Sequence, residues 1–247
     1  MKKLNYFLAL IALSLVSQTN FAQQGIIGGV STPIEDAPYM VSLIDWTPVP
    51  QDPNPGPKFK CAGYLISDRW ILTAAHCMLT RHDPSGSAGL YPWVFPHNLM
   101  VFIGFQQRGH FYPPAVNSVS YADTIIVHPN YVESLTQNDP FDIALIRLDS
   151  PIVFNHKQYP VEFANSCNTD STDYVVGTEA FLTGWGDTIR CRNNNCQSVD
   201  FLRGTYSALI TNDSANQVHL NNGFPGNDVD STMIAFLNDT STAYRFD

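Results

Sequence analysis

The apolar positions of this chain come in short runs broken by turn-forming residues. Residues 40–46, 64–66, 99–105, 124–127, 143–148, 179–183, 205–211 and 232–237 form such runs and read as β-strands. Segments 48–57, 82–89, 113–117, 190–197 and 221–230 are rich in Pro, Asn, Asp and Gly and read as loops. No helical period persists over about a dozen residues, and neither an internal repeat nor a coiled-coil heptad is visible. Short strands with frequent turns specify an all-β sandwich or barrel.

Composition narrows the choice. Only 14% of the 247 residues are charged, and 17 Pro with 15 Gly supply many turns, which excludes a long-helix protein. The length allows one large all-β domain or two small ones, either with a sizeable core. A net charge of −9 argues against nucleic acid or an anionic membrane as the main partner.

The N-terminus has a separate character. Lys2 and Lys3 precede an apolar run over residues 7–16, and a polar stretch follows, ending Asn20-Phe21-Ala22. The run is too short for a bilayer, which needs about 20 apolar residues, and the pattern is that of a secretory signal. Residues 1–22 are therefore expected to be removed, leaving no membrane anchor, with the product secreted into an oxidising compartment. There the five cysteines, Cys61, Cys77, Cys167, Cys191 and Cys196, are read first as disulfide partners. Cys191 and Cys196 can close a small local loop.

Three separated segments hold candidate chemistry: Ile26-Ile27-Gly28-Gly29-Val30, Arg69-Trp70-Ile71-Leu72-Thr73-Ala74-Ala75-His76-Cys77, and Asp142-Ile143-Ala144-Leu145-Ile146-Arg147-Leu148. Taken alone, a His after an apolar strand is usually structural and an Asp before one usually a cap. Three more segments accompany them: Cys61-Ala62-Gly63-Tyr64-Leu65-Ile66-Ser67, Val127-His128-Pro129-Asn130-Tyr131 and Gly184-Trp185-Gly186. Together the six resemble the trypsin/chymotrypsin-like serine endopeptidases (peptidase family S1), in which His precedes Asp along the chain. Residues 202–212 are similar to the family's strand after Gly-Trp-Gly, so the resemblance runs from Ile26 nearly to the C-terminus.

The resemblance implies two antiparallel six-stranded β-barrels, residues 26–155 and 156–247, with the active site between them. His76 would be the general base and Asp142 the carboxylate that orients it and stabilises the imidazolium. Asp139 is a nearby competitor, but the Ile-Ala-Leu context favours Asp142. Cys61 and Cys77 would form the disulfide that pins the histidine turn. Protein or peptide substrates, a monomer, and no cofactor or metal follow from the same resemblance. A metal site from His76, His82 and Asp83 is a competing reading with loose spacing.

Two departures stand out. A very short pro-segment, Gln23-Gln24-Gly25, precedes Ile26 where the family usually has Arg or Lys. Ile26 as an activated N-terminus would thus need an activating protease of other specificity; otherwise residues 26–30 are simply a buried first strand. Second, Gly-Asp-Ser-Gly-Gly is absent. Ser207, Ser214, Ser231 and Ser241 lack the flanking glycines of a nucleophile turn, and Asn212-Asp213-Ser214 reads as turn chemistry. That triplet and Asn238-Asp239-Thr240 also fit the N-glycosylation pattern.

Residues 231–235 resemble the strand before the family's nucleophile loop, which places the motif just past Asp247. The expectation is a fragment or truncated product with an incomplete second barrel, inactive in this form. The residue at the base of the specificity pocket would then fall around 244–247, and Asp247 there would favour cleavage after Arg or Lys. Ala180 replaces a family cysteine, and Cys167 would pair beyond the chain. The alternative is a non-catalytic protease homologue that binds a protein partner, a role with no chemical need for both His76 and Asp142.

Overall fold

The computed structural model describes residues 26, 29–47, 56–79, 94–108, 119–132, 140–163, 175–187, 198–221, 235–238 and 242–244. Its strands are β1 (Val30–Ser31), β2 (Met40–Asp45), β3 (Lys58–Leu65), β4 (Trp70–Thr73), β5 (Leu99–Ile103), β6 (Val119–Val127), β7 (Ala144–Leu148), β8 (Glu179–Asp187), β9 (Ser198–Ile210), β10 (Ala235–Asn238) and β11 (Thr242–Tyr244). Six of them close an antiparallel barrel in the order β2-β3-β4-β7-β6-β5. A second sheet runs β1-β9-β10-β11, with β8 also paired to β9. The all-β class and the six-stranded first barrel agree with the sequence.

Burial explains the barrel. Along β2 and β5, residues 40–44 and 99–103 are all buried. Val41, Leu43, Leu99, Val101 and Ile103 point into the barrel core. Their alternates Ile44, Met100 and Phe102 pack outside it with Phe59, Phe105 and Val119. Strands covered on both faces read as continuous apolar runs, which is how residues 40–46 and 99–105 appear in the sequence. On β7 only Ala144, Ile146 and Leu148 are buried, the alternation of a strand covered on one face. Each fully buried Leu or Ile contributes about 1.5–3 kcal/mol.

A third cluster, Ile34, Ala37, Met40, Trp185 and Leu202, joins the barrel to the second sheet. Gln106 completes this seam. Its side-chain amide accepts from Ile34 N at 2.7 Å and donates to the Thr32 carbonyl. Its own carbonyl accepts from Trp185 Nε1 at 3.2 Å and from Leu202 N at 2.9 Å.

Two sequence readings need correction. Residues 212–221 form a helix, α1 (Asn212–Asn221), instead of a turn. Thr211 starts it: its Oγ1 accepts from Ser214 N at 3.0 Å, and Ala215 N donates to the Thr211 carbonyl. At ten residues the helix is too short to show a sustained period. The boundary at residue 26 also misplaces β1, which pairs with β9 of the second sheet through Val30↔Gly204 and Ser31↔Arg203. Among the described residues no helix is long and apolar enough to cross a membrane.

Candidate active site

Strand register builds the site. β4 and β7 pair antiparallel with Thr73 opposite Ala144, so the end of β4 and the start of β7 lie at one edge of the barrel. His76 comes three residues after Thr73 and Asp142 two before Ala144, which brings residues far apart in sequence into contact. Beyond β4 the chain bends into a 3₁₀ turn, His76–Met78. Ala75, Cys77, Met78 and Leu79 bury themselves in the barrel core and anchor that turn. The Cys61–Cys77 disulfide ties it to β3.

His76 Nδ1 lies 2.6 Å from Asp142 Oδ2, and the backbone N–H of His76 donates to Oδ1 at 2.8 Å. Both carboxylate oxygens thus meet His76. Burial pushes the Asp142 carboxyl up, but the His76 hydrogen bond and charge, with backbone N–H groups of His76 and Ala75, outweigh it and hold the pKa below the ordinary value. An ionised carboxylate can only accept, so Nδ1 carries a proton, and in the neutral ring the lone pair is on Nε2. The side chains are 17% and 12% exposed, so both are largely shielded from solvent.

Asp142 sits in a tight turn. Phe141 before it has φ 63°, and Ile143 N donates to the Phe141 carbonyl at 2.7 Å. The Phe141 ring stacks on His128 at 4.8 Å. Nothing in the sequence marked Phe141 or Gln106, because neither a left-handed φ on a Phe nor a polar side chain bridging distant segments leaves a local pattern.

Cys61, His76 and Cys77 are close enough together to suggest a metal site, but both sulfurs are bonded to each other, which leaves His76 as a lone ligand. Ile26 is buried, and a Cβ on Gly184 would lie 3.8 Å from its side chain, so it rests over β8. Cys167, Cys191, Cys196, His82, Asp83, Asp139 and residues 1–25 lie outside the described residues.

A histidine hydrogen-bonded to an aspartate lies at the rim of an antiparallel barrel joined to a second sheet. The trypsin family model matches residues 26–240. Serine protease 1 of Rattus norvegicus is 31% identical over 209 residues, covering 85% of this chain and 65% of that protein. Trypsin-4 of Rattus norvegicus is 32% identical, covering 76% of this chain and 60% of its own length. Trypsin-3 of Homo sapiens is 32% identical, covering 66% of this chain and 41% of its own. The chain therefore belongs to the trypsin family of serine proteases, and it spans less than two thirds of the length of these curated relatives.

Proposed function

We propose that this chain is part of a secreted serine endopeptidase in which His76 is the general base and Asp142 its orienter. The observation that carries the reading is the 2.6 Å contact from His76 Nδ1 to Asp142 Oδ2, which leaves Nε2, 3.5 Å from the disulfide-bonded Cys77 sulfur, as the ring's proton acceptor. In the reaction a serine hydroxyl gives its proton to Nε2 as its oxygen bonds to the scissile carbonyl carbon. The imidazolium then protonates the leaving amine as the C–N bond breaks, leaving an ester. Water repeats the sequence, releases the acid and restores the serine.

These 247 residues contain no Gly-Asp-Ser-Gly-Gly, so we place the serine beyond Asp247 and take the 247-residue form to be inactive. The second barrel is completed by the same missing part. Residues 1–22 act as the export signal, and residues 23–25 are removed by a protease that does not need a basic residue. Ile26, buried over Gly184, is then the mature N-terminus. The enzyme works as a monomer on protein or peptide substrates; a pocket-base residue at 244–247 would set its preference.

The test is labelling with a fluorophosphonate, which reacts with an activated serine. A longer product carrying a Gly-Asp-Ser-Gly motif is expected to label and to hydrolyse peptides, with His76→Ala lowering turnover by about 10⁶. Labelling of the 247-residue form would overturn the assignment of the serine to sequence beyond it. A full-length product that neither labels nor cleaves would favour the alternative reading, which the absent motif supports: a protease homologue that only binds.

A further inference from the structure

We propose that Phe141 and His128 form a positioning pair that sets the Asp142 carboxylate against His76. The inference rests on reading His76 and Asp142 as base and orienter. Phe141 has φ 63°, and among the described residues no other non-glycine residue has a positive φ. The left-handed region is unfavourable for any side chain with a Cβ, and such a residue persists only where its surroundings hold it. Glycine would adopt this conformation without strain, so something must compensate for a phenylalanine here.

A stacked ring and two backbone hydrogen bonds compensate. The Phe141 ring lies 4.8 Å from the His128 ring at an interplanar angle of 5°. It is 38% exposed, so filling a core cavity is not its task. His128 holds the same turn from its other side, since its backbone N–H donates to the Ile143 carbonyl at 3.0 Å. Ile143 N in turn donates to the Phe141 carbonyl at 2.7 Å. Residues 141 and 143 are therefore both tied to His128, and Asp142 is clamped between them.

His128 is itself fixed. Its Nδ1 accepts from Asn130 N at 3.2 Å, and its carbonyl accepts from Tyr131 N at 3.0 Å. Tyr131 is buried in the barrel core. A continuous line of contacts thus runs from that core through Tyr131, His128 and Phe141 to Asp142. The carboxylate has to meet the N–H of His76 and its ring Nδ1 at once, at 2.8 and 2.6 Å. Rotation of the peptide unit between Phe141 and Asp142 would break one or both, so a clamp on that unit fixes the tautomer of the base.

The experiment follows the low-field proton resonance of His76 Nδ1–H by NMR in the full chain and in Phe141→Leu, Phe141→Gly and Phe141→Tyr. Phe141→Leu keeps the backbone strain without the ring, and the resonance is expected to be lost to exchange with water. Phe141→Gly removes ring and strain together, so folding is preserved, yet the resonance is expected to broaden or shift. Phe141→Tyr keeps the stack and should restore the parent signal. A sharp, unshifted resonance in both the Leu and Gly variants would overturn the proposal. In a catalytically competent product, Phe141→Gly should lower kcat about tenfold to a hundredfold with KM little changed. A product that cleaves no peptide but whose resonance responds to Phe141 overturns the peptidase reading and upholds the pair.

Discussion

Trp185 donates its indole N–H to the backbone carbonyl of Gln106 at 3.2 Å, across the seam between the barrel and the second sheet. One glutamine thereby gathers the N-terminal segment, the exit of β5 and strands β8 and β9. The tryptophan is the middle residue of Gly184-Trp185-Gly186, so a motif found by resemblance has a plain structural duty.

Gln106→Leu keeps the backbone carbonyl but strips partners from the N–H of Ile34 and the carbonyl of Thr32, both in buried residues. Leaving a buried backbone group unpaired costs about 1–3 kcal/mol, so a loss of about 2–4 kcal/mol is expected in urea unfolding. Trp185→Phe should cost less at Gln106, whose carbonyl retains Leu202 N. A Gln106→Leu variant as stable as the parent would show that the side-chain amide of Gln106 contributes nothing.

Asp142 has a folded pKa below its ordinary value, so it binds fewer protons in the folded than in the unfolded chain near that value. Its contribution is fully present above the unfolded carboxylate pKa of about 3.9 and is lost as pH falls through the lower folded value. Asp142→Asn should therefore be less stable than the parent at neutral pH, with the gap closing on acidification. Chemical unfolding of both at a series of pH values checks this; a gap independent of pH counts against it.

The Cys61–Cys77 bond closes a loop spanning 16 positions. Replacing both residues with alanine is expected to cost about 3 kcal/mol on loop-closure grounds. Urea unfolding of the double-alanine variant beside the parent checks this, and equal midpoints would rule it out.

Gly104 ends β5 with φ +77°, and an added Cβ would lie 2.9 Å from Gln158 Cγ and 3.1 Å from the Lys157 carbonyl. Gln158 is buried and donates to the Ile103 carbonyl at 3.2 Å. Gly104→Ala meets both an unfavourable backbone angle and a packed neighbour, so a loss of about 2 kcal/mol or more is expected. A thermal midpoint unchanged from the parent would rule this out.

Much of the barrel was legible in the sequence because its strands bury their apolar residues with a period of two or throughout. β2, β5 and β7 stand where the apolar runs do. β3 begins at Lys58, ahead of the apolar run at 64–66, because the Lys58-Phe59-Lys60 alternation gives no continuous run. The helix after Thr211 was hidden by residues that cap helices and make turns equally well. At the site, His76 and Asp142 were marked by their segments, yet only the β4–β7 register explains their meeting. Gln106 and Phe141 were invisible, since their roles depend on partners supplied by the fold.

The pairing of β1 with β9 has a consequence in time. The barrel strands all lie between Met40 and Leu148, so that unit can be completed from one contiguous stretch of chain. β1 precedes it, yet its partner Gly204 is 174 positions away from Val30. Contacts of such separation form late because loop closure must precede them. The first strand in sequence should thus be the last to be protected in pulse-labelled hydrogen exchange, and Gln106 the latch that the N-terminal segment finds when it arrives.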